Sequence, residues 1–233
     1  MFYYSYSYLL YMLPGLVLML YAQFKVKHSF SKYSKVTNRR GLTGADAARE
    51  VLRQNSVDGV RIEHVSGNLS DHYDPRTNVI RLSDDVYNST SVAAVGVAAH
   101  EAGHAVQYAQ NYAPIKARAS IVNICNFGSP MAFIFLLISF FVPVEISGTF
   151  ILIAVALYSL ATVFQLITLP VEFDASRRAM VSLEATGLYG QDELVGAKKV
   201  LKAAALTYVA ALISSILSLL RFVLIATSGR RRR

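Results

Sequence analysis

The run His100-Glu101-Ala102-Gly103-His104 lies in an apolar stretch rich in alanine and valine. Residues four apart on a helix share a face, so His100 and His104 present two imidazole nitrogens to one tetrahedral zinc ion, with Glu101 beside them to move protons. Hydrolysis by an activated water is the chemistry such a trio serves. Apart from the two histidines, Glu101 is the single ionisable side chain between Tyr87 and Tyr112 bearing a carboxylate or ammonium. A lone carboxylate there is costly to bury unless something cationic compensates it, which favours a pair of ligands to one metal ion over two satisfied core histidines. The expected cofactor is Zn2+, with His100 and His104 as metal ligands and Glu101 as the catalytic residue.

Two imidazoles do not complete a catalytic zinc site, which takes three protein ligands and leaves one position open. The extended His-x-x-Gly-x-x-His continuation is absent, because Gln107 and Gln110 stand where its glycine and third histidine would be. The third ligand therefore comes from a distant segment, and finding it depends on the elements that carry the motif.

Asn88, Ser89 and Thr90 supply cap-forming side chains ahead of the motif, and no proline interrupts 91–112, so a helix is expected there. Upstream, Thr43-Gly44-Ala45-Asp46 opens a helix in the manner of a capping box, followed by Ala47, Ala48, Val51 and Leu52 at helical spacing and an end near Asn55. Residues 60–65 and 78–82 then alternate as strands, joined through Gly67 and the turn-forming Asp74-Pro75-Arg76-Thr77. A small sheet or hairpin precedes the motif helix. Residues 78–82 are the candidate open edge on which an extended peptide would add as a strand, set against an equally weighted reading as a purely structural hairpin.

The remaining sequence is that of a membrane protein. Hydrophobic residues make up 54% of the 233, and they gather in blocks at 2–22, 119–142, 146–169 and 206–226, close to or above the ~20 residues that span a bilayer. Thirteen Lys and Arg fall in 23–118, none in the short turn at 143–145, and five in 170–202. The positive-inside rule puts the first and third of these segments in the cytosol. Tyr3, Tyr4, Tyr6, Tyr8 and Tyr11 form an interfacial belt at the opposite end of the first block, which reads as an uncleaved anchor. The last block is less regular, since Arg221 interrupts it and Arg230 to Arg233 follow it. It crosses, lies in the interface, or carries a basic tail foreign to the chain.

The expected fold is thus a mainly α membrane protein with three to four transmembrane helices and a zincin-like α+β cytosolic segment. Its divisions are an anchor at 1–22, the motif-bearing segment at 23–118, a transmembrane hairpin at 119–169, a second cytosolic helical segment at 170–205, and a fourth hydrophobic helix with its basic tail at 206–233. On this topology Glu145 falls on the outer side and is removed from contention. Glu172 returns to the cytosolic side just after the third block, on a continuing helix through Ala175, Ala179 and Met180. It is the favoured third ligand in a His2Glu set, with His72, His64 and Glu184 as alternatives. A surface carboxylate paired with Arg178 is the plain structural reading of the same residue.

His-Glu-Ala-Gly-His-Ala-Val-Gln after a short hairpin, then two crossings, then Leu-Pro-Val-Glu-Phe-Asp-Ala-Ser-Arg-Arg-Ala, resembles the YugP-like neutral zinc metallopeptidases of bacterial membranes. That family is in turn similar to the HtpX-type and CAAX prenyl proteases, whose glutamate ligand lies in a Glu-aromatic-x-Ala-Asp stretch. Here Glu172 and Phe173 match, Ser176 stands at the terminal Asp, and Asp174 lies two residues after the glutamate. The resemblance implies peptide hydrolysis on zinc in a multi-pass bacterial cell-membrane protein, with membrane proteins among its substrates. Asp174 or Ser176 would then orient a ligating histidine.

Two other readings carry different expectations. A site-2-type intramembrane protease also uses HExxH but places it within a crossing and takes a later Asp as ligand, whereas the only Asp-Gly pair here, Asp58-Gly59, is upstream in polar sequence. A non-catalytic zinc-binding membrane adaptor has no need of Glu101 as a base. The expected partners are a protein or peptide substrate and the lipid bilayer. No nucleic acid is expected, because the basic excess of +8 hugs the membrane ends. The single Cys125 lies inside an apolar block and reads as a buried, inert thiol. Arg177, Arg178 and Tyr208 are the candidate donors to an oxyanion.

Overall fold

A computed structural model describes residues 2–68 and 70–230, with side chains described at 11–68 and 70–227. The elements run α1 (Phe2–Tyr33), α2 (Gly44–Gln54), β1 (Arg61–His64), β2 (His72–Asp74), β3 (Val79–Leu82), α3 (Val92–Ala109), α4 (Ala113–Ile138), α5 (Val144–Thr186) and α6 (Gln191–Arg230). Tyr3, Tyr4, Tyr6 and Tyr8 of the expected belt, and the arginine tail from Arg230, lie outside the described side chains.

The chain divides into two compact units. One gathers Met1–Tyr21, Ala117–Leu169 and Thr207–Arg233, and the other Ala22–Lys116 and Pro170–Leu206. In the first, Ala132, Leu136, Ala154 and Phe222 form a small buried core, ringed by edge-on contacts of Phe133 with Tyr158 and with Phe222. Polar side chains turn inward as well. Thr162 and Ser215 share a hydrogen bond of 2.8 Å, and Cys125 is buried with its thiol against the Leu160 carbonyl. Phe127, Leu137, Phe140 and Phe141 project outward, an arrangement suited to hydrocarbon, where helices associate through small and hydroxyl residues and leave large apolar side chains outside. Among the described residues, α4, α5 and α6 are long and apolar enough to cross a membrane. The last block at 206–226 is thus helical and of spanning length, while much of the first lies outside the described side chains.

The second unit holds the polar segment, with a core built from α2, the sheet, α3 and the following parts of α5 and α6. Thr43 caps α2 by accepting the Asp46 N–H, and Asp46 returns the bond to the Thr43 N–H, completing the capping box. The helix buries Ala45, Ala47, Ala48, Val51 and Leu52 and ends at Asn55, as its spacing predicts. Thr43→Ala should remove about 1 kcal/mol of local stability, seen as roughly fivefold faster amide exchange in the first turn of α2.

The sheet differs from expectation. Its order is β1-β3-β2, with β1 parallel and β2 antiparallel to β3. Residues 78–82, expected at the open edge, contribute the central strand, paired with β1 on one side and β2 on the other, and Val79, Ile80 and Leu82 are buried to 0% exposure. β1 and β3 are not a hairpin. The hairpin is β2–β3, closed by 75–78, with Asn78 in the left-handed region at φ 54°. Short β2 escaped notice because three residues carry too little alternation to register. The edges are β1, which faces α2, and β2, which faces α3.

Candidate active site

α3 starts at Ser91, whose hydroxyl accepts the Ala94 N–H at 3.1 Å, one residue beyond the expected caps. The helix runs unbroken through the motif and aligns the two imidazoles edge to face, 4.7 Å between centroids. Glu172 reaches them from α5. Its Oε2 lies 3.2 Å from His100 Nε2 and 3.5 Å from His104 Nε2. One donor atom from each residue falls within a 4.8 Å group. Bonds of ~2.0–2.1 Å arranged tetrahedrally place neighbouring donors about 3.3–3.4 Å apart, so the carboxylate-to-imidazole spacings fit zinc. Two neutral imidazoles and one carboxylate also match the ion chemically, and these three residues could hold it.

Glu172 is only 2% exposed. Burial alone would raise its pKa, but the hydrogen bonds with His100 and His104 outweigh that and hold the carboxyl well below the usual range. The surface-pair reading fails here, because Arg178 pairs with Asp174 instead. The alternative ligands lie elsewhere: His64 bonds Asp84 at 2.6 Å and His72 turns to the Ser70 carbonyl, both exposed, and Glu184 is exposed.

Glu101 extends toward the sheet, where its Oε2 accepts the backbone N–H of Tyr73 in β2 at 3.0 Å. Burial pushes its carboxyl above the ordinary glutamate value, despite the opposing pull of His100. A carboxylate whose proton affinity is raised by burial is suited to taking up a proton.

α3 and α5 approach closely at Gly103, the fourth residue of the motif. A Cβ built there would lie 2.5 Å from the Ala175 carbonyl oxygen, far inside contact distance. Glycine at this position lets the His pair and Glu172 meet. Behind the ligands, Ser176 Oγ lies 3.1 Å from His100 Nδ1, so Ser176 has the direct contact and Asp174 does not. Asp174 is taken up by Arg177, Arg178 and Gln107. Arg177 and Arg178, weighed above as oxyanion donors, both pair with Asp174. Gly103, Tyr73 and Gln107 escaped the sequence reading. Only Gln107 left a signal there, as an amide amid alanine and valine, one turn past His104.

A family model described as "Putative neutral zinc metallopeptidase" matches residues 8–227. The chain belongs to this zinc metallopeptidase family. It is also 45% identical over 218 residues to "Putative membrane protease YugP" of Bacillus subtilis (strain 168), covering 94% of this chain and 96% of that protein. No solved structure matches. Membership in a zinc metallopeptidase family agrees with the donor set assembled by His100, His104 and Glu172.

Proposed function

We propose that the chain is a membrane-bound zinc endopeptidase whose active site faces the cytosol, with His100, His104 and Glu172 as the metal ligands and Glu101 as the proton-transfer residue. The convergence of both imidazoles on one Glu172 oxygen carries this reading. Zinc held there would polarise the scissile carbonyl and lower the pKa of a water toward neutrality. Glu101 accepts the proton released in the attack and returns it to the departing amine. β2, next to α3 and at the sheet's end, offers the backbone edge for an extended substrate, in place of the central β3. Its Tyr73 N–H, bonded to Glu101, puts the base beside that edge.

The cytosolic-face reading is favoured over a site-2-type protease because α3 is not among the described helices long and apolar enough to span. It is favoured over an adaptor because Glu101 is poised for protons. Membrane proteins are the proposed substrate class. Detergent-purified protein should contain stoichiometric zinc and cleave casein or a peptide library. A chelator should abolish cleavage and added zinc should restore it. Cleavage indifferent to chelation would overturn the zinc mechanism, and zinc without cleavage would favour the adaptor.

A further inference from the structure

His104 is held from behind by an amide whose sense is settled by its other partners. Gln107 is completely buried. Its Nε2 lies 2.9 Å from the Val171 carbonyl oxygen and 2.9 Å from Asp174 Oδ2. A carbonyl only accepts, and so does a carboxylate paired with Arg177 and Arg178. Both amide protons are therefore spent, and Oε1 is the atom left facing His104 Nδ1, 3.1 Å away. An amide oxygen cannot donate, so Nδ1 carries the ring proton. In the neutral ring that a metal would bind, Nε2, the nitrogen turned toward Glu172, is then the one carrying the lone pair.

We propose that Gln107 is a positioning residue that fixes the tautomer and ring orientation of His104 for metal binding, with Asp174 setting the sense of the amide. The inference rests on the zinc reading above. His100 is treated differently, because the Ser176 hydroxyl against its Nδ1 can donate or accept and dictates no tautomer. The same amide also grips the backbone at Val171, immediately before Glu172, so one side chain ties the α3 ligand to the α5 segment bearing the carboxylate. Gln107 thus does for His104 what a carboxylate or carbonyl does behind many metal-bound histidines.

The test uses the full chain in detergent micelles, with cobalt(II) affinity measured by chelator competition and ligand geometry by the visible d–d bands. Gln107→Leu and Gln107→Met fill the volume without an acceptor. Either should weaken cobalt binding about 10–100-fold and alter the bands, with an unchanged circular dichroism spectrum. Gln107→Glu combined with Asp174→Asn keeps an oxygen toward Nδ1, removes the carboxylate that would repel it and supplies an amide donor in its place, and should recover part of the affinity and the wild-type bands. The proposal is overturned if a folded apolar variant binds cobalt as tightly as the wild type. It is equally overturned if the Gln107→Glu, Asp174→Asn double variant is folded and as impaired as Gln107→Leu. A wild-type chain that takes up neither cobalt nor zinc would instead overturn the zinc reading itself.

Discussion

Glu101→Gln protein will retain its zinc and lose peptide hydrolysis by about 10²–10⁴-fold, the usual contribution of a positioned acid–base group. Gln keeps the shape and an oxygen for the Tyr73 N–H, but it cannot accept the proton of an attacking water. His104→Ala, by contrast, removes a donor atom from the ligand group and should lose metal and turnover together. Metal analysis and a peptide assay on both variants separate the two losses, and full turnover by Glu101→Gln would refute its role. The substitution also has a stability signature. Burial raises the Glu101 pKa above its ordinary 4.5, so the folded state binds that proton more tightly than the unfolded state does. Keeping the group ionised therefore costs stability at pH values above the unfolded pKa, and below it the cost vanishes. Metal-free Glu101→Gln should melt higher than the metal-free parent at pH 7, with the difference disappearing near pH 4.

Gly103→Ala will separate His100 and His104 from Glu172. The added Cβ would meet the Ala175 carbonyl oxygen at 2.5 Å, its carbon at 3.1 Å and the Cα at 3.3 Å. All three are backbone atoms, so no side-chain rotation relieves the overlap and α3 must move away from α5. The expected loss is about 1–3 kcal/mol of stability, typical of an overpacked core. Because His100 and His104 ride on one helix and Glu172 on the other, zinc affinity should fall at least tenfold as well. Gly96 supplies the control on the same helix. A Cβ there meets its nearest neighbour, the Ala197 Cβ, at 3.3 Å, so Gly96→Ala should be milder in both measurements. Equal zinc affinity in Gly103→Ala and the parent would show that the spacing of the two helices does not govern the site.

The features legible in the sequence are those set by neighbours along the chain. The capping box at Thr43 and Asp46 is written in four consecutive residues, and the facing histidines follow from helical spacing alone. Glu172 became legible through a longer inference, because the charge distribution around the apolar blocks returns it to the side of the motif. Strand pairing was different. Alternation marks Val79 to Leu82 as a strand but says nothing of how many strands flank it, and the parallel partner Arg61–His64 is chosen by tertiary packing. Gly103 and Gln107 were hidden for the same reason. The value of a missing Cβ or a buried amide depends on what the opposite helix brings against it.

His100 and Glu172 stand 72 residues apart, with the apolar stretch Ala117–Leu169 between the two portions of their unit. This order has a consequence for biosynthesis. A ribosome releases the histidine pair long before the carboxylate, so a nascent chain carries the motif without a complete metal centre. On the proposed function, proteolytic capacity would arise only after the intervening apolar helices have been made. A shortened chain ending at Lys116 would display the whole HExxH sequence and lack the carboxylate that meets it.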